Sequence, residues 1–81
     1  MNDADIRAVA LATLKSIAPE IEEAELRPER PLRQQIDLDS MDWLNFLLGL
    51  HEKLKLEIPE ADYAKLVTLD DLVAYLSAKL R

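Results

Sequence analysis

Ser40 stands between carboxylates in the run Asp37-Leu38-Asp39-Ser40-Met41-Asp42, ahead of a strongly apolar stretch. A serine hydroxyl can serve as a nucleophile or as a helix cap, and the two uses need different neighbours. Nucleophilic use needs a base within hydrogen-bond reach. The single histidine, His51, lies eleven residues further on, about 16 Å along a helix at 1.5 Å per residue. A Ser–His pair is therefore excluded while that helix is intact, and no Gly-x-Ser-x-Gly elbow is present. With no cysteine, the chain has neither a thiolate nucleophile nor a disulfide framework. The three aspartates invite a calcium loop. A frame starting at Asp37, however, puts Met41, Asp42 and Leu48 where a ligand, a glycine and a glutamate are required. No metal site is expected.

The elements that position Ser40 read as four helical stretches. Ile6, Val9, Ala10, Leu14 and Ile17 line one face of a helix over residues 3–18, which Pro19 ends. Residues 19–38, with Pro19, Pro28 and Pro31, form a long irregular connection. It is pinned by Ile21, Leu26, Leu32, Ile36 and Leu38, with a short turn expected in the acidic run 20–25. A second helix is expected over about residues 40–55. Asp39 and Ser40 both suit its N-cap, and Asp42 adds to the acids at its positive end. Pro59 introduces a short third helix over 60–65. Thr68 and Asp71 have capping-box spacing for a fourth, with Leu69, Leu72, Val73, Leu76 and Leu80 as its buried stripe. No alternating strand-length run appears. The expected fold is all-α, a small four-helix bundle with a long first loop, in one domain over residues 1–81.

Composition narrows the function classes. The net charge is −6, from 10 basic and 16 acidic residues, which disfavours binding to a nucleic-acid backbone and suits basic protein surfaces. No run approaches the roughly 20 apolar residues that span a bilayer. The acidic start, Asn2-Asp3-Ala4-Asp5, is unlike a secretory signal. A cytoplasmic protein without nucleic-acid or membrane partners is expected.

The second helix carries more apolar surface than one core face needs. Trp43, Phe46, Leu47, Leu50 and Leu54 form the main stripe, and Met41, Leu44 and Leu48 form another on its shoulder. A helix packed centrally would bury both stripes. Alternatively, the second stripe lines an opening or docks a partner beside Ser40.

Asp39-Ser40-Met41 at the head of the second helix resembles the attachment motif of the acyl carrier protein family. The resemblance continues through Glu57-Ile58-Pro59-Glu60 and Lys65-Leu66-Val67-Thr68-Leu69, and in helix order and length across nearly the whole chain. It implies that a phosphopantetheinyl transferase modifies Ser40 with 4'-phosphopantetheine from coenzyme A. The arm's thiol then holds an acyl group as a thioester for partner enzymes. A helix N-terminus favours the phosphate so placed. The chain itself is then not an enzyme, and it is expected to act as a monomer with acyl-loading and acyl-processing partners. By the same resemblance, Asp39 and Asp42 contribute to transferase recognition, while Met41, Leu44, Leu48 and Leu66 contact partners or the cargo. Carriers of fatty-acid synthesis have a Glu-rich outer face on this helix. Here it offers Asp42 and Glu52 with Asn45, His51 and Lys53. That difference, with the bulky Trp43 and Tyr63, points to a specialised lipid or secondary-metabolite pathway. An aminoacyl or peptidyl carrier, or an unmodified helical interaction module, are the competing expectations.

Overall fold

In the computed structural model, which describes residues 1–80, Asn2 caps the first helix with a reciprocal pair of bonds. The Asp5 amide donates to Asn2 Oδ1 at 2.8 Å, and the Asn2 amide donates back to the Asp5 carboxylate. This helix, α1 (Asp3–Ile17), ends one residue earlier than expected, because Ala18 before Pro19 leaves the helical region at φ −129° and ψ 79°. Ile6, Ala10 and Leu14 of the expected stripe are buried, whereas Val9 and Ile17 are half-buried at its edge. Thr13 is buried too. Its Oγ1 donates to the Val9 carbonyl at 2.7 Å, so the polar group is satisfied inside the helix.

The connection is less irregular than expected. A 3-10 turn at Glu23–Glu25 falls within the acidic run, and a four-residue helix, α2 (Leu32–Gln35), interrupts the loop. Ile21, Leu32, Ile36 and Leu38 are buried as pins, and Leu26 packs against them. Gln35 holds the rest. Its Oε1 accepts from the Arg27 amide at 2.7 Å, and its Nε2 donates to the Arg27 and Arg30 carbonyls at 2.8 and 3.0 Å. The loop is also tied to the far end of the chain. The Leu32 amide donates to the Val67 carbonyl and the Asp70 amide to the Pro28 carbonyl, beside an isolated bridge between Pro31 and Thr68.

Helix α3 (Ser40–Leu54) stops where Lys55 turns left-handed, at φ 52° and ψ 51°. The segment Glu60–Lys65 is a 3-10 helix with no side-chain cap. Helix α4 (Leu69–Leu80) starts on the expected box, with the Asp71 amide donating to Thr68 Oγ1 at 2.9 Å. Leu69, Leu72 and Leu76 are buried, but Leu80 is 38% exposed, at the last residue of the helix where no further turn packs beside it. α1 packs against both α3 and α4. The architecture is all-α, with no strand among the described residues.

Tyr75 fastens the 3-10 segment to α4. Its hydroxyl donates to Asp62 Oδ2 at 2.6 Å, and Lys65 Nζ lies 3.4 Å from the other carboxylate oxygen. Burial, and then the Asp62 carboxylate, push the Tyr75 hydroxyl up to about 12. The hydrogen bond from Tyr75 is the main cause holding Asp62 below its usual value. Because the folded value of Tyr75 is raised from 10.0, its contribution is complete below about pH 10 and is lost as pH rises toward 12. Asp62 acts oppositely, its contribution fading only as pH falls through its lowered value. Urea midpoints measured between pH 8 and 12 should therefore fall less steeply in Tyr75→Phe than in the wild type. The variant should already be the less stable protein at pH 8.

Candidate functional site

Asp39, not Ser40, is the cap of α3. Its backbone is extended, at φ −80° and ψ 179°, and its Oδ1 accepts from the Asp42 amide at 2.8 Å. Ser40 is thereby the first helical residue. It is exposed, and its hydroxyl has no hydrogen-bond partner among the described residues. The first turn of a helix leaves backbone N–H groups without intrahelical partners. Here Asp39 takes that of Asp42 with its side chain, and its carbonyl takes that of Trp43 at 3.0 Å. The amides of Ser40 and Met41 remain free to meet an anion on the serine oxygen.

The other two serines of the chain are placed differently. Ser16 Oγ donates to the Thr13 carbonyl at 2.6 Å, and Ser77 is buried in α4. The approach to Ser40 is fixed from beneath by the buried Ile36 and Leu38 and by the Leu38 amide bonded to the Ile36 carbonyl at 2.9 Å. Arg33 Nη2 donates weakly to the Leu38 carbonyl at 3.4 Å.

The two apolar stripes of α3 divide cleanly. Phe46, Leu47 and Leu50 are buried and Trp43 and Leu54 pack at the margin, whereas Met41, Leu44 and Leu48 are 72%, 43% and 46% exposed. The second stripe is thus an open face that starts beside Ser40, and the reading of a helix buried on both sides does not hold. Leu66, expected beside the same opening, is only 3% exposed and belongs to the core, while its neighbour Val67 is 43% exposed. The linker between the 3-10 segment and α4 follows no helical period, so spacing could not tell which of the two points inward. Asp39 is exposed and Asp42 half-buried beside Ser40.

Trp43 tilts onto Phe46, with ring centroids 5.2 Å apart and planes 39° from parallel. Tyr63 is half-buried and, with Leu47, Leu48, His51, Glu57 and Ile58, lines a cleft of about 190 Å³. His51 is at its rim. Its Nδ1–H donates to the Leu56 carbonyl at 2.7 Å, while the Leu56 amide donates to the His51 carbonyl at 3.2 Å, clasping the end of α3. Sequence spacing gave no sign of this clasp. No group of three or more metal-ligating side chains occurs among the described residues. No helix among them is long and apolar enough to cross a membrane.

Comparison with known proteins adds the chemistry. The family model for the phosphopantetheine attachment site matches residues 8–76. The chain belongs to the acyl carrier protein family. It is 35% identical to an acyl carrier protein of Helicobacter hepaticus over 54 residues, covering 67% of this chain and 71% of that protein. It is 29% identical to an acyl carrier protein of Campylobacter jejuni over 72 residues, covering 89% and 87% of the two chains. A solution structure from Anaplasma phagocytophilum, named provisionally as an acyl carrier protein, superposes with a TM-score of 0.87 at 26% identity. It covers all of this chain and 94% of that one.

As an acyl carrier protein, the chain is not an enzyme, and its cofactor is 4'-phosphopantetheine. The cofactor supplies the thiol that a chain without cysteine lacks. Its partners are a phosphopantetheinyl transferase and acyl-processing enzymes. The residues at the head of α3 fit the group: an unbonded exposed hydroxyl, two free amides and a helix dipole that favours phosphate.

Proposed function

We propose that Ser40 is the attachment point, and that the chain carries short acyl groups in a specialised lipid or secondary-metabolite pathway. The observation that supports Ser40 most strongly is its position as first helical residue with an unused hydroxyl. Ser16 and Ser77 are each bonded or buried. Asp39 orders the first turn and, with Asp42, presents acidic groups to a transferase beside that hydroxyl. The exposed Met41, Leu44 and Leu48 offer an apolar strip to partner enzymes, supported from beneath by Leu66. A core completed within one chain supports a monomer, and dependence on coenzyme A supports work in the cytoplasm.

The specialised role draws support from the outer side of α3. Exposed Asn45 and Lys53 break what would otherwise be an acidic surface of Asp42 and Glu52, and His51 is engaged with Leu56. Electrostatic docking is correspondingly weaker than a Glu-rich helix would allow.

Incubation with coenzyme A, magnesium and a broad-specificity transferase should add one phosphopantetheine to the wild-type mass and none to Ser40→Ala. An unmodified wild type would leave the helical interaction module as the better reading. Alanine at Met41, Leu44 or Leu48 should leave the fold intact and lower partner turnover about 5- to 30-fold, as loss of an apolar contact worth roughly 1–2 kcal/mol would. Unchanged turnover in all three would remove the strip from the account.

A further inference from the structure

We propose that the cargo is a short acyl group carrying its own hydrogen-bond donor, a hydroxyl or an amine, held in the cleft between α3 and the 3-10 segment. This rests on Ser40 bearing the arm. A phosphopantetheine arm is about as long as five extended residues, roughly 17 Å. Leu48 lies eight residues below Ser40, about 12 Å along the helix. The exposed strip Met41, Leu44 and Leu48 runs from the attachment point to the cleft, and Leu48 belongs to both. An arm laid along the strip therefore delivers its thioester to the cleft mouth.

The cleft selects by size and by polarity. Its volume of about 190 Å³ equals only some six times the roughly 30 Å³ share of a water molecule, so it suits a chain of a few carbons. Leu47, Leu48 and Ile58 supply an apolar surface, but His51, Glu57 and Tyr63 supply polar groups to the same cleft. The Leu56 carbonyl can only accept, so His51 Nδ1 carries the proton there and Nε2 is the nitrogen left for an occupant. In the neutral ring Nε2 is an acceptor, and the Glu57 carboxylate is another. A plain alkyl chain would desolvate these acceptors without replacing their bonds, whereas a hydroxyl or amine would satisfy one.

The test compares butyryl, 3-hydroxybutyryl and 3-aminobutyryl thioesters on the arm. Each is cleaved with hydroxylamine and normalised to the same thioester on free pantetheine. The two donor-bearing cargoes should be cleaved about 2- to 10-fold more slowly than butyryl, the factor that one net hydrogen bond supplies. His51→Phe should abolish the difference and His51→Gln, which keeps an acceptor, should preserve it, with urea midpoints recording that both variants are folded. Protection of only the hydroxyl form or only the amine form would identify the donor. Equal or greater protection of butyryl, or no protection of any cargo, would overturn the proposal. Acyl-pantetheine attached by alkylation to Ser40→Cys carries the same cargoes without a transferase. Failure of Ser40 to accept the natural arm would thus be read separately from failure of the cleft to discriminate.

Discussion

Phe46→Ala should remove about 3–5 kcal/mol of stability, the usual range for truncating a buried phenylalanine. Phe46 is completely buried on α3, and it supports the ring of Trp43 one turn above it. Domains of this type have only about 5–15 kcal/mol in total, and a chain of 81 residues buries too little surface to sit at the upper end. The variant should therefore unfold at a much lower urea midpoint, with a measurable unfolded population in buffer. Phe46→Leu, which leaves a smaller void, should fall between it and the wild type. The effect reaches the site as well, since Ser40 is held by the helix that Phe46 anchors. A variant whose urea midpoint matched the wild type would show that α3 is not fixed through this side chain.

Gly49→Val should be the other severe change, for a reason unrelated to backbone freedom. A Cβ at Gly49 would lie 2.8 Å from Thr13 Cγ2 on α1, closer than two carbons can approach. Thr13 cannot readily turn away, because it is buried and its hydroxyl is bonded to the Val9 carbonyl. The helices must separate, or the threonine must leave its rotamer. Overpacking of this kind costs about 1–3 kcal/mol, and valine adds two further methyls to the clash. Gly49→Ala should be milder, because alanine recovers up to about 1 kcal/mol of helix propensity. The decisive comparison is a double-mutant cycle with Thr13→Ser, which deletes the offending methyl and keeps the hydroxyl. Urea midpoints should show Gly49→Ala costing less in the Thr13→Ser background than alone, and strict additivity would rule out this contact.

The head of α3 was legible because its signals are local. An aspartate cap, a serine at the junction and two apolar stripes all lie within one stretch of sequence, and the period of the helix separates the stripes. What escaped was carried by contacts between distant parts of the chain. Gly49 reads as a weak point in a helix until Thr13 is seen against it. Gln35 reads as a surface amide until its three bonds to Arg27 and Arg30 are seen to brace the loop. The four residues of α2 are too few for a periodic pattern, and the helix persists because Leu32 is buried and its amide pairs with Val67. Tyr75 was unremarked for the same reason, since its partner Asp62 lies on another element. Leu66 and Val67 exchanged places because periodicity carries no information across an irregular linker.

The division of labour at the site follows from one capping choice. Had Ser40 been the cap, its hydroxyl would have been spent on an amide of the first turn. With Asp39 in that role, the serine is ordered by the helix yet chemically unoccupied, and the neighbouring amides face outward with it. The most direct test of this arrangement is to digest the transferase-treated protein with trypsin and locate the added group by tandem mass spectrometry. Cleavage after Arg33 and Lys53 isolates residues 34–53, in which Ser40 is the only serine. The account predicts one phosphopantetheine on that peptide, at Ser40, and none on the peptides bearing Ser16 or Ser77. Modification elsewhere, or a wild-type protein that takes up no arm at all, would contradict it.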